Sequence, residues 1–389
     1  MMEWKKHRLG ELALSIQTGP FGSQLHQADY SDSGIPVIMP KDMINGKVET
    51  NDIARVSDIH VQRLKRHKVK SGDIIYSRRG DVGRCSLITE REEGWLCGTG
   101  CLKVALDKSK CVPSFIAFIL QRKDSIGWVE NHAVGATMPN LNTGILSNLP
   151  LIIPTFEEQG RIASILSAYD NLIENNNRRI RLLEQMAENL YKEWFVRFRF
   201  PGHEKAEFEN GLPKGWKRAP LKTICEFERG KNITASEMIA GNVPVISAGI
   251  SPSGTHNKSN VQGTSVTVSS SGANAGFISI HYEDIWAADC SYVSEKSTRY
   301  IYFVYEVLNN MRAVVDNLQR GAAQPHVYPK DLNRISIIVP DETNQDRANK
   351  KFSHLHKLKA KLLQQNEYLS RQRDLLLPRL MSGKLEVKV

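Results

Sequence analysis

Long hydrophobic runs are missing from this sequence. The longest apolar stretches, Ser114–Leu120 and Leu149–Pro154, are too short to span a bilayer. The N-terminus turns polar after Trp4, so we expect no secretory signal. Cysteine is scarce as well, and six residues scattered over 389 positions do not form a disulfide framework. These absences predict a cytoplasmic protein that has no membrane partner.

Motifs for catalysis and cofactor binding are also missing. Cys97 and Cys101 stand four residues apart, but no second Cys or His pair accompanies them, so we expect no metal site. The chain has no Pro-Pro dipeptide, which excludes the Asp/Asn-Pro-Pro-Tyr/Phe loop of amino-methyltransferases. Gly98-Thr99-Gly100 does not continue into a dinucleotide-binding loop, and no Gly-x-x-x-x-Gly-Lys-Ser/Thr phosphate loop occurs. We therefore expect neither catalytic residues nor a cofactor.

The charge balance favours a polyanionic partner. Lys and Arg number 52 against 42 Asp and Glu, which gives a formal net charge of +10 at pH 7. A hydrophobic fraction of 41% over 389 residues is enough for two or three domains with real cores. Nucleic acid is one such polyanion, but many soluble proteins are mildly basic without binding it. Charge alone therefore does not decide the function.

Two segments carry matching heptad patterns, which is the spacing that two packed helices need. The first seam consists of Ile162, Leu166, Tyr169, Ile173, Asn176, Ile180, Leu183, Ala187, Leu190 and Trp194. The second seam consists of Ala348, Phe352, Leu355, Lys359, Leu362, Asn366, Leu369, Arg373, Leu376 and Leu380. These patterns predict two long helices, one ending each half of the chain.

Each seam contains one asparagine, Asn176 or Asn366. If the helices run antiparallel, facing residues share a constant sum of residue numbers. Pairing Ile162 with Leu380 satisfies the same sum as pairing Asn176 with Asn366. The two amides can then hydrogen-bond, whereas a one-heptad slip buries each of them unpaired, at a cost of roughly 1–3 kcal/mol. The pattern predicts an antiparallel intramolecular coiled coil whose register these two residues set.

The alternative is that each long helix packs only on its own domain. Lys359 and Arg373 interrupt the second seam. In an antiparallel pair they stand opposite Leu183 and Tyr169, and we expect their stems to lie along the interface with their charged heads in water.

The chain also contains an internal repeat. At one constant offset, the first copy's Gly135-Ala136, Pro139, Leu149, Ile152, Pro154 and Gln159 recur as Gly321-Ala322, Pro325, Ile335, Ile338, Pro340 and Gln345. Nearer the start, Trp4-Lys5 and Leu9 recur at a larger constant offset as Trp216-Lys217 and Leu221. Because the offset shrinks between these two sets, the second copy is the shorter one. Short β-branched runs bounded by Gly, Pro, Asn and Asp predict strands in both copies.

The repeat predicts an α+β fold of two tandem mixed α/β domains, each followed by a long helix. The expected boundaries are 1–154 for the first domain, 155–200 for its helix, 201–212 for a polar linker, 213–340 for the second domain and 341–389 for the C-terminal helix.

The two copies differ at one predicted exposed bend. Ser77-Arg78-Arg79-Gly80 in the first copy corresponds to Ser269-Ser270-Ser271-Gly272 in the second. Two domains of the same shape with different side chains suit recognition of two different short sequences. The alternative is a duplicated domain whose surface has simply drifted.

The order and doubling of these motifs resemble a specificity subunit of a Type I DNA restriction-modification system. The resemblance rests on Trp4 to Leu9 and its echo Pro213 to Leu221, on Gly19–Ser23, Gly72–Gly83 and Gly135–Pro154, on the two long helices, on Glu193–Phe198, and on the ending Leu377–Gly383. It covers nearly the whole chain, although no single motif is as specific as a phosphate-binding loop.

The resemblance implies two target-recognition domains that each read one half of a bipartite, asymmetric site in double-stranded DNA. It implies that the helices form the spacer between the half-sites and dock two DNA methyltransferase subunits. Restriction subunits that translocate DNA would then join the complex. Two alternatives stay open: a recognition subunit of a related modification or defence complex with other enzymatic partners, and a coiled-coil scaffold that does not bind DNA.

Residues that would contact DNA can be named from their chemistry. Arginine pairs bidentately with guanine in the major groove, and glycine lets the backbone approach DNA closely. Arg78 and Arg79, beside Gly80, are therefore the leading candidates for base or phosphate contacts. The other candidates are Lys41, Ser77, Arg84, Thr137 and Asn140 in the first copy and Ser247, Ser269, Ser270, Ser271, Asn274, Gln324 and His326 in the second. Each is a polar or basic residue of a predicted loop, and the side chains of such residues more often contact only water than a DNA base.

Overall fold

The computed structural model describes residues 4–135, 139–321 and 324–385. The chain divides into two compact units. Unit 1 comprises Met1–Ile173 with Tyr368–Val389, and unit 2 comprises Glu174–Glu367. Both divisions fall inside long helices, so each unit consists of one globular region and a part of each helix. Among the described residues, no helix combines the length and the apolar character that crossing a membrane requires.

Unit 1 is built from twelve short strands and five short helices among its described residues, followed by the first long helix. The strands are β1 Lys5–Arg8, β2 Ala13–Thr18, β3 Tyr30–Ser31, β4 Ile35–Ile38, β5 Met43–Ile44, β6 Lys47–Val48, β7 Arg55–Val56, β8 Ile74–Ser77, β9 Cys85–Leu87, β10 Leu96–Cys97, β11 Cys101–Leu106 and β12 Pro150–Ile153. The helices are α1 Leu9–Leu12, α2 Asp58–Arg63, α3 Pro113–Leu120, α4 Lys123–His132, α5 Thr143–Ser147 and the long α6 Phe156–Tyr191.

Unit 2 repeats this plan in a shorter form. Its strands are β13 Phe208–Glu209, β14 Leu212–Pro213, β15 Lys217–Pro220, β16 Glu228–Arg229, β17 Val243–Ile246, β18 Gly254–His256, β19 Ser265–Ser269, β20 Ile278–His281, β21 Trp286–Ala287, β22 Cys290–Ser294 and β23 Ser336–Val339. Its helices are α7 Ile301–Asn310, α8 Arg312–Asp316, α9 Pro329–Leu332 and the long α10 Glu342–Leu380, whose last turns belong to unit 1.

Each globular region contains one antiparallel four-stranded sheet with the same strand arrangement. The order is β2-β11-β8-β9 in unit 1 and β16-β22-β19-β20 in unit 2. The two central strands of each sheet are largely buried, and β8 and β19 are buried along their whole length. A smaller sheet lies beside each large one, with β4 parallel to β10 and β17 parallel to β21.

The first and last strands of each globular region pair with each other in the same register. Lys5 is opposite Ile153 in the β1–β12 pair, and Lys217 is opposite Val339 in the β15–β23 pair. In the sequence repeat, Lys217 is the counterpart of Lys5 and Val339 is the counterpart of Ile153. The duplication is therefore present in the hydrogen-bond ladders as well as in the sequence.

The segment predicted to be a polar linker, 201–212, is not a simple linker. It contains β13, which forms a hairpin with β14. Phe200 before it and Leu212 at its end are buried in the unit 2 core, against Trp216. The ring centroids of Phe200 and Trp216 are 4.8 Å apart. Two buried anchors hold this polar stretch in place, because they remove apolar surface from water at both of its ends.

The starts of the two long helices are stabilised in the same way, by a capping side chain and by a glutamine in the first turns. The Thr155 hydroxyl accepts from the N–H of Glu158 at 3.4 Å, and the Asp341 carboxylate accepts from the N–H of Asn344 at 3.0 Å. In the next turn, the Gln159 side chain donates to the carbonyl of Pro154 at 3.0 Å. Gln345 donates to the carbonyl of Pro340 in the same way, at 3.1 Å. These contacts stand at the starts of α6 at Phe156 and of α10 at Glu342.

The α6 and α10 segments within each unit run antiparallel. In unit 2 the Asn176 amide donates to the Asn366 carbonyl oxygen at 2.9 Å, which is the contact that the constant residue sum predicts. Ile180, Leu183 and Leu362 form a buried cluster next to it. Residues of both heptad seams thus pack against each other within unit 2.

The two charged residues in the second seam form ion pairs with α6, and their side chains are only partly exposed, 13% for Lys359 and 30% for Arg373. Lys359 Nζ lies 2.6 Å from the Glu184 carboxylate in unit 2. Arg373 lies 2.6 Å from the Asp170 carboxylate in unit 1. Each acidic partner is one residue beyond the predicted facing position, and a neighbouring helix therefore neutralises each charge.

Candidate nucleic-acid interface

The bend after β8, residues 77–80 and called bend 1 below, is held by backbone hydrogen bonds on two sides. The N–H of Arg78 donates to the carbonyl of Gly100 at 2.8 Å. The carbonyl of Arg78 accepts from the N–H of Leu141 at 2.8 Å, and the N–H of Gly80 donates to the carbonyl of Pro139 at 3.3 Å. Gly80 has a φ of +73°, a conformation that favours glycine. A strand end and a returning segment thus fix the backbone of bend 1.

The bend after β19, residues 269–272 and called bend 2 below, has the same backbone hydrogen bonds. The N–H of Ser270 donates to the carbonyl of Asp289 at 3.2 Å, and its carbonyl accepts from the N–H of Val327 at 3.0 Å. The N–H of Gly272 donates to the carbonyl of Pro325 at 3.1 Å, and Gly272 has a φ of +76°. Both units therefore present the same backbone framework at this place, with different side chains on it.

The two arginines of bend 1 differ in their surroundings. Arg78 is half-buried, its Nε donates to Asn140 Oδ1 at 3.3 Å, and its guanidinium carbon lies 5.4 Å from the centroid of the Phe21 ring. Arg79 is exposed, and its side chain has no hydrogen-bond or ion-pair partner among the residues that the structure describes. Arg78 is thus preorganised, and Arg79 is open to a ligand.

The other basic candidates of unit 1 already have partners. Lys41 Nζ donates to the carbonyl of Asp52 at 2.7 Å and lies 3.0 Å from the Asp42 carboxylate. The Nε of Arg84 donates to the Asp81 carboxylate at 2.5 Å. Asn140 is part of the returning segment beside bend 1 and forms an isolated β-bridge with Arg79. Thr137 lies outside the described residues.

The serines at the two bends do not lie at an exposed surface, so this expectation is wrong for Ser77, Ser269, Ser270 and Ser271. The reason is that each bend is covered by the returning segment and by the neighbouring central strand. Ser77 Oγ donates to the carbonyl of Arg79 at 3.1 Å, and Ser269 Oγ donates to the carbonyl of Ala248 at 2.9 Å. Ser271 Oγ donates to the Asp289 carboxylate. These hydroxyls support the loops and do not face solvent.

The remaining candidates of unit 2 are at least partly accessible. Asn274 and Gln324 are exposed, and Ser247 is half-buried at the end of β17. His326, on the returning segment beside bend 2, stacks on Tyr328 with ring centroids 5.9 Å apart and an interplanar angle of 17°. Aromatic faces next to basic side chains are typical of surfaces that contact nucleic acid.

One charged pair at bend 2 was not found by sequence reasoning. The Nη2 of Arg229 lies 2.5 Å from Asp289 Oδ1, and Asp289 is the residue whose backbone carbonyl holds Ser270. One feature of the sequence could have indicated Arg229. Arg229-Gly230 stands at about the same distance from the start of the second copy as Thr18-Gly19 does from the start of the first. A Cβ added to Gly19 would lie 2.0 Å from the carbonyl oxygen of Gly98, and one added to Gly230 would lie 2.3 Å from that of Ala288, so a side chain would not fit at either position.

The cysteines are buried and chemically quiet. Burial raises the pKa of the Cys97 thiol to about 12 and that of the Cys85 thiol to about 12. Within the described ranges, no group of three or more His, Cys, Asp or Glu residues is placed to hold a metal ion. Cys97 lies in β10 and Cys101 begins β11, and both are buried.

Comparison with known proteins agrees with this duplicated architecture. The family model described as Type I restriction modification DNA specificity domain matches residues 1–185 and 213–368. The MjaIX specificity subunit of a type I restriction enzyme from Methanocaldococcus jannaschii is 24% identical, over 92% of this chain and 89% of its own length. A putative MjaX specificity subunit from the same organism is 22% identical, over 99% of this chain and 94% of its own length.

A solved structure has the same fold. The S subunit of a type I restriction-modification system from M. genitalium aligns with a TM-score of 0.68 at 20% identity, covering 97% of this chain and 96% of that one. Two copies of the family domain thus account for most of the sequence, and a whole-chain structural relative has the same arrangement. The chain therefore belongs to the type I restriction-modification DNA specificity family, whose members are the non-catalytic specificity subunits of these systems.

Proposed function

We propose that the protein is the DNA-binding specificity subunit of a type I restriction-modification complex and that it recognises a bipartite, asymmetric site in double-stranded DNA. Unit 1 reads one half-site through bend 1, and unit 2 reads the other through bend 2. Methylation and cleavage belong to other subunits of the complex.

The observation that carries this proposal is the repetition of one backbone framework with different side chains. Bends 1 and 2 share three backbone hydrogen bonds and a glycine at positive φ. The side chains on this framework differ: Arg78, Arg79 and Asn140 in unit 1 correspond to the buried Ser270 and Ser271 and the half-buried His326 in unit 2. A scaffold that only bound protein would have no need for two differently equipped copies of one loop. Base edges, in contrast, are distinguished by the side chains that reach them.

The long helices support the second part of the proposal, a role as a spacer and as a docking surface. α6 and α10 are each continuous between the two units, so their length suits a part that sets the gap between the half-sites. Several large apolar side chains on them are exposed, among them Leu172, Leu182, Met186 and Leu375. Such faces suit protein partners, and we propose two DNA methyltransferase subunits there, with restriction subunits joining the complex.

Comparing the methylation pattern of the host genome with and without this gene is the most direct test. Loss of methylation at one split sequence motif is the expected result, and it would identify both half-sites and the gap. Purification of the protein from its host tests the partners. A co-purifying methyltransferase with the adenine-modifying loop supports the proposal, while different enzymes would favour a related modification or defence complex.

A gel-shift titration with the identified duplex and with random duplex, over a range of salt concentrations, tests DNA binding itself. We expect binding that weakens steeply with salt, because neutralising phosphates releases counterions. The absence of any binding at low salt would favour the coiled-coil scaffold.

Bend 1 can be tested separately. Arg79→Ala should lower the preference of the full-length protein for its intact first half-site over a scrambled one by roughly 5- to 100-fold, because a bidentate guanine contact is lost. Arg371→Ala removes the same charge from an exposed position of the α10 segment in unit 1 and should leave this preference unchanged. An equal loss on intact and scrambled DNA would make Arg79 a phosphate contact instead.

A further inference from the structure

We propose that Arg229 is a specificity-determining residue of unit 2, positioned for DNA contact by Asp289 and Ser271. The inference rests on the proposed DNA-binding function and adds to it the residue that supplies a guanidinium group at bend 2. Bend 1 carries two arginines, whereas bend 2 carries three serines and no arginine of its own.

The place of Arg229 in the framework follows from the strand ladders. Arg229 is opposite Ser291 in the β16–β22 pair, and Thr18 is opposite Leu102 in the β2–β11 pair. Each of the two residues ends the corresponding edge strand of its four-stranded sheet, and a glycine follows each of them. Arg229 therefore occupies in unit 2 the position that the uncharged Thr18 occupies in unit 1.

Asp289 connects this strand end to bend 2. Its backbone carbonyl accepts from the N–H of Ser270, as the carbonyl of Gly100 accepts from Arg78 in unit 1. Gly100 has no side chain, whereas the Asp289 carboxylate extends to two neighbours. Oδ1 pairs with Arg229 at 2.5 Å, and Oδ2 accepts from the Ser271 hydroxyl. Three residues that differ from unit 1 at matching positions thus form one network.

Burial decreases along this network toward the surface. Ser271 is 8% exposed, the Asp289 side chain 23% and the Arg229 side chain 40%. The buried hydroxyl holds the carboxylate, and the carboxylate pairs with the terminal Nη2 of the guanidinium, while the arginine side chain stays partly exposed to solvent. Holding a long side chain in place before binding reduces the conformational entropy that binding would otherwise cost.

The guanidinium keeps most of its donors for a ligand. Arginine has five N–H donors in a planar fork, and among the described residues the Arg229 side chain uses one of its terminal nitrogens, on Asp289. A fork with free donors matches the two acceptors of a guanine edge, which a lysine cannot pair with in the same planar way. Arg229 therefore has the chemistry of a base contact as well as of a phosphate contact.

The surroundings of Arg229 favour a polyanion. Lys231 follows two residues later and is exposed. Just after the returning segment beside bend 2, Lys330 Nζ of α9 lies 5.7 Å from the centroid of the Tyr328 ring. The neighbouring acid, Glu228, is engaged by the Tyr292 hydroxyl at 3.1 Å. Lys231 thus adds a second cation close to Arg229 in the chain, and the segment that bonds bend 2 leads into a further cation and an exposed aromatic ring.

In this arrangement, the two units place arginine side chains beside the same backbone framework, but from different strands. In unit 1 the guanidinium groups come from the end of β8, and in unit 2 the guanidinium comes from the end of β16. A base contact made from a different strand reaches a different position along the groove. Two units of one fold can therefore read dissimilar half-sites.

The test measures binding of the full-length protein to three duplexes: the intact site, one with the first half-site scrambled and one with the second half-site scrambled. Arg229→Ala should reduce the preference for the intact second half-site over its scrambled form by roughly 10- to 100-fold, while the preference at the first half-site stays unchanged. Arg229→Lys keeps the charge and the pairing with Asp289, and should lose most of the same preference while retaining affinity for scrambled DNA.

The control is Arg347→Ala, which removes an arginine from an exposed position of α10 in the same unit. It should not change any of the three preferences. An equal loss by Arg229→Ala on intact and scrambled second half-sites, or no loss, overturns the inference while the proposed function stands. If the unaltered protein itself shows no preference for either half-site, the proposed function fails and this inference fails with it.

Discussion

At the scale of single residues, a buried histidine shows how position decides chemistry in unit 1. His67 is 2% exposed, and the Nε of Arg66 donates to its Nε2 at 2.9 Å. Burial, followed by the nearby charges of Arg66 and Lys103, lowers the pKa of His67 from 6.5 to about 4. A proton on this ring would be buried next to two cations, so the folded protein keeps the ring neutral.

This depressed pKa predicts a loss of stability at mildly acidic pH. As the pH falls below 6.5, the unfolded chain takes up a proton at His67, whereas the folded chain does so only near pH 4. The contribution of His67 is therefore complete above pH 6.5 and declines by roughly 3 kcal/mol as the pH falls to about 4.

Thermal unfolding of the full-length protein between pH 7 and pH 4.5 tests this prediction. The melting temperature of His67→Gln should depend less on pH than that of the unaltered protein. His26→Gln, which changes an exposed histidine of the same unit, should leave the dependence as it is. Identical pH profiles for all three proteins would contradict the assignment of the effect to His67.

At the scale of secondary-structure elements, the pairing of α6 with α10 was predictable because its signal is local. The heptad seams can be read from residues within each helix, and the two asparagines identify one register among several. Asn176 and Asn366 are hydrogen-bonded to each other, and Asn366 also donates to Asn177 at 2.8 Å. Their role in setting the register stays a prediction, since a contact alone does not exclude another register.

A disulfide test addresses that register. With Leu183→Cys and Lys359→Cys in one chain, oxidation should give an intrachain bridge in high yield, because these residues face each other in the register of the Asn pair. Leu183→Cys with Leu363→Cys should bridge poorly, because Leu363 is on an exposed face of α10. The bridge yield is measured by the mass of peptides after proteolysis.

Replacing both asparagines with leucine in the first cysteine variant should lower the yield of the native bridge, because a slipped register no longer leaves amides unpaired. The native cysteines that the structure describes are all buried and should not compete. An unchanged yield would mean that contacts other than the Asn pair set the register.

At the scale of the whole molecule, the two compact units do not follow the order of the chain. Leu380 and Met381, close to the C-terminus, are buried in the core of unit 1 together with Ile162 and Leu166. Unit 1 therefore needs the end of a helix that starts in unit 2. The side chain of Arg122 also donates to the carbonyl of Met381 at 3.0 Å, which adds a polar contact to the same junction.

This connection predicts a destabilising effect of a C-terminal substitution on the N-terminal half. Leu380→Ala should lower the free energy of unfolding of unit 1 by roughly 2–5 kcal/mol, the usual cost of such a cavity. Leu375→Ala, on a position that is 63% exposed on the same helix, should cost far less. Hydrogen exchange of peptides from β8 and β11, measured by mass spectrometry, reports the stability of unit 1 in each variant. Unchanged protection of these peptides in Leu380→Ala would show that unit 1 folds without this helix end.

Much of the architecture was accessible from the sequence, and the functional surface was accessible only in part. The repeat predicted two domains of the same plan, and the ladders of β1–β12 and β15–β23 share one register. Bend 1 was located because Arg78, Arg79 and Gly80 stand together. Arg229 was missed because its partner Asp289 is distant in the sequence, and β16 is too short to produce a pattern.

The sequence by itself determined the duplicated plan and predicted the contact of Asn176 with Asn366, because repeats and heptads are patterns between residues at regular spacings. Only the tertiary structure decided which side chains at the bends face solvent. That outcome depends on a returning segment, 139–141 or 325–327, which covers the serines and leaves Arg79 exposed. It also depends on strands that are distant in sequence and adjacent in space, which is how Arg229 comes to lie at bend 2.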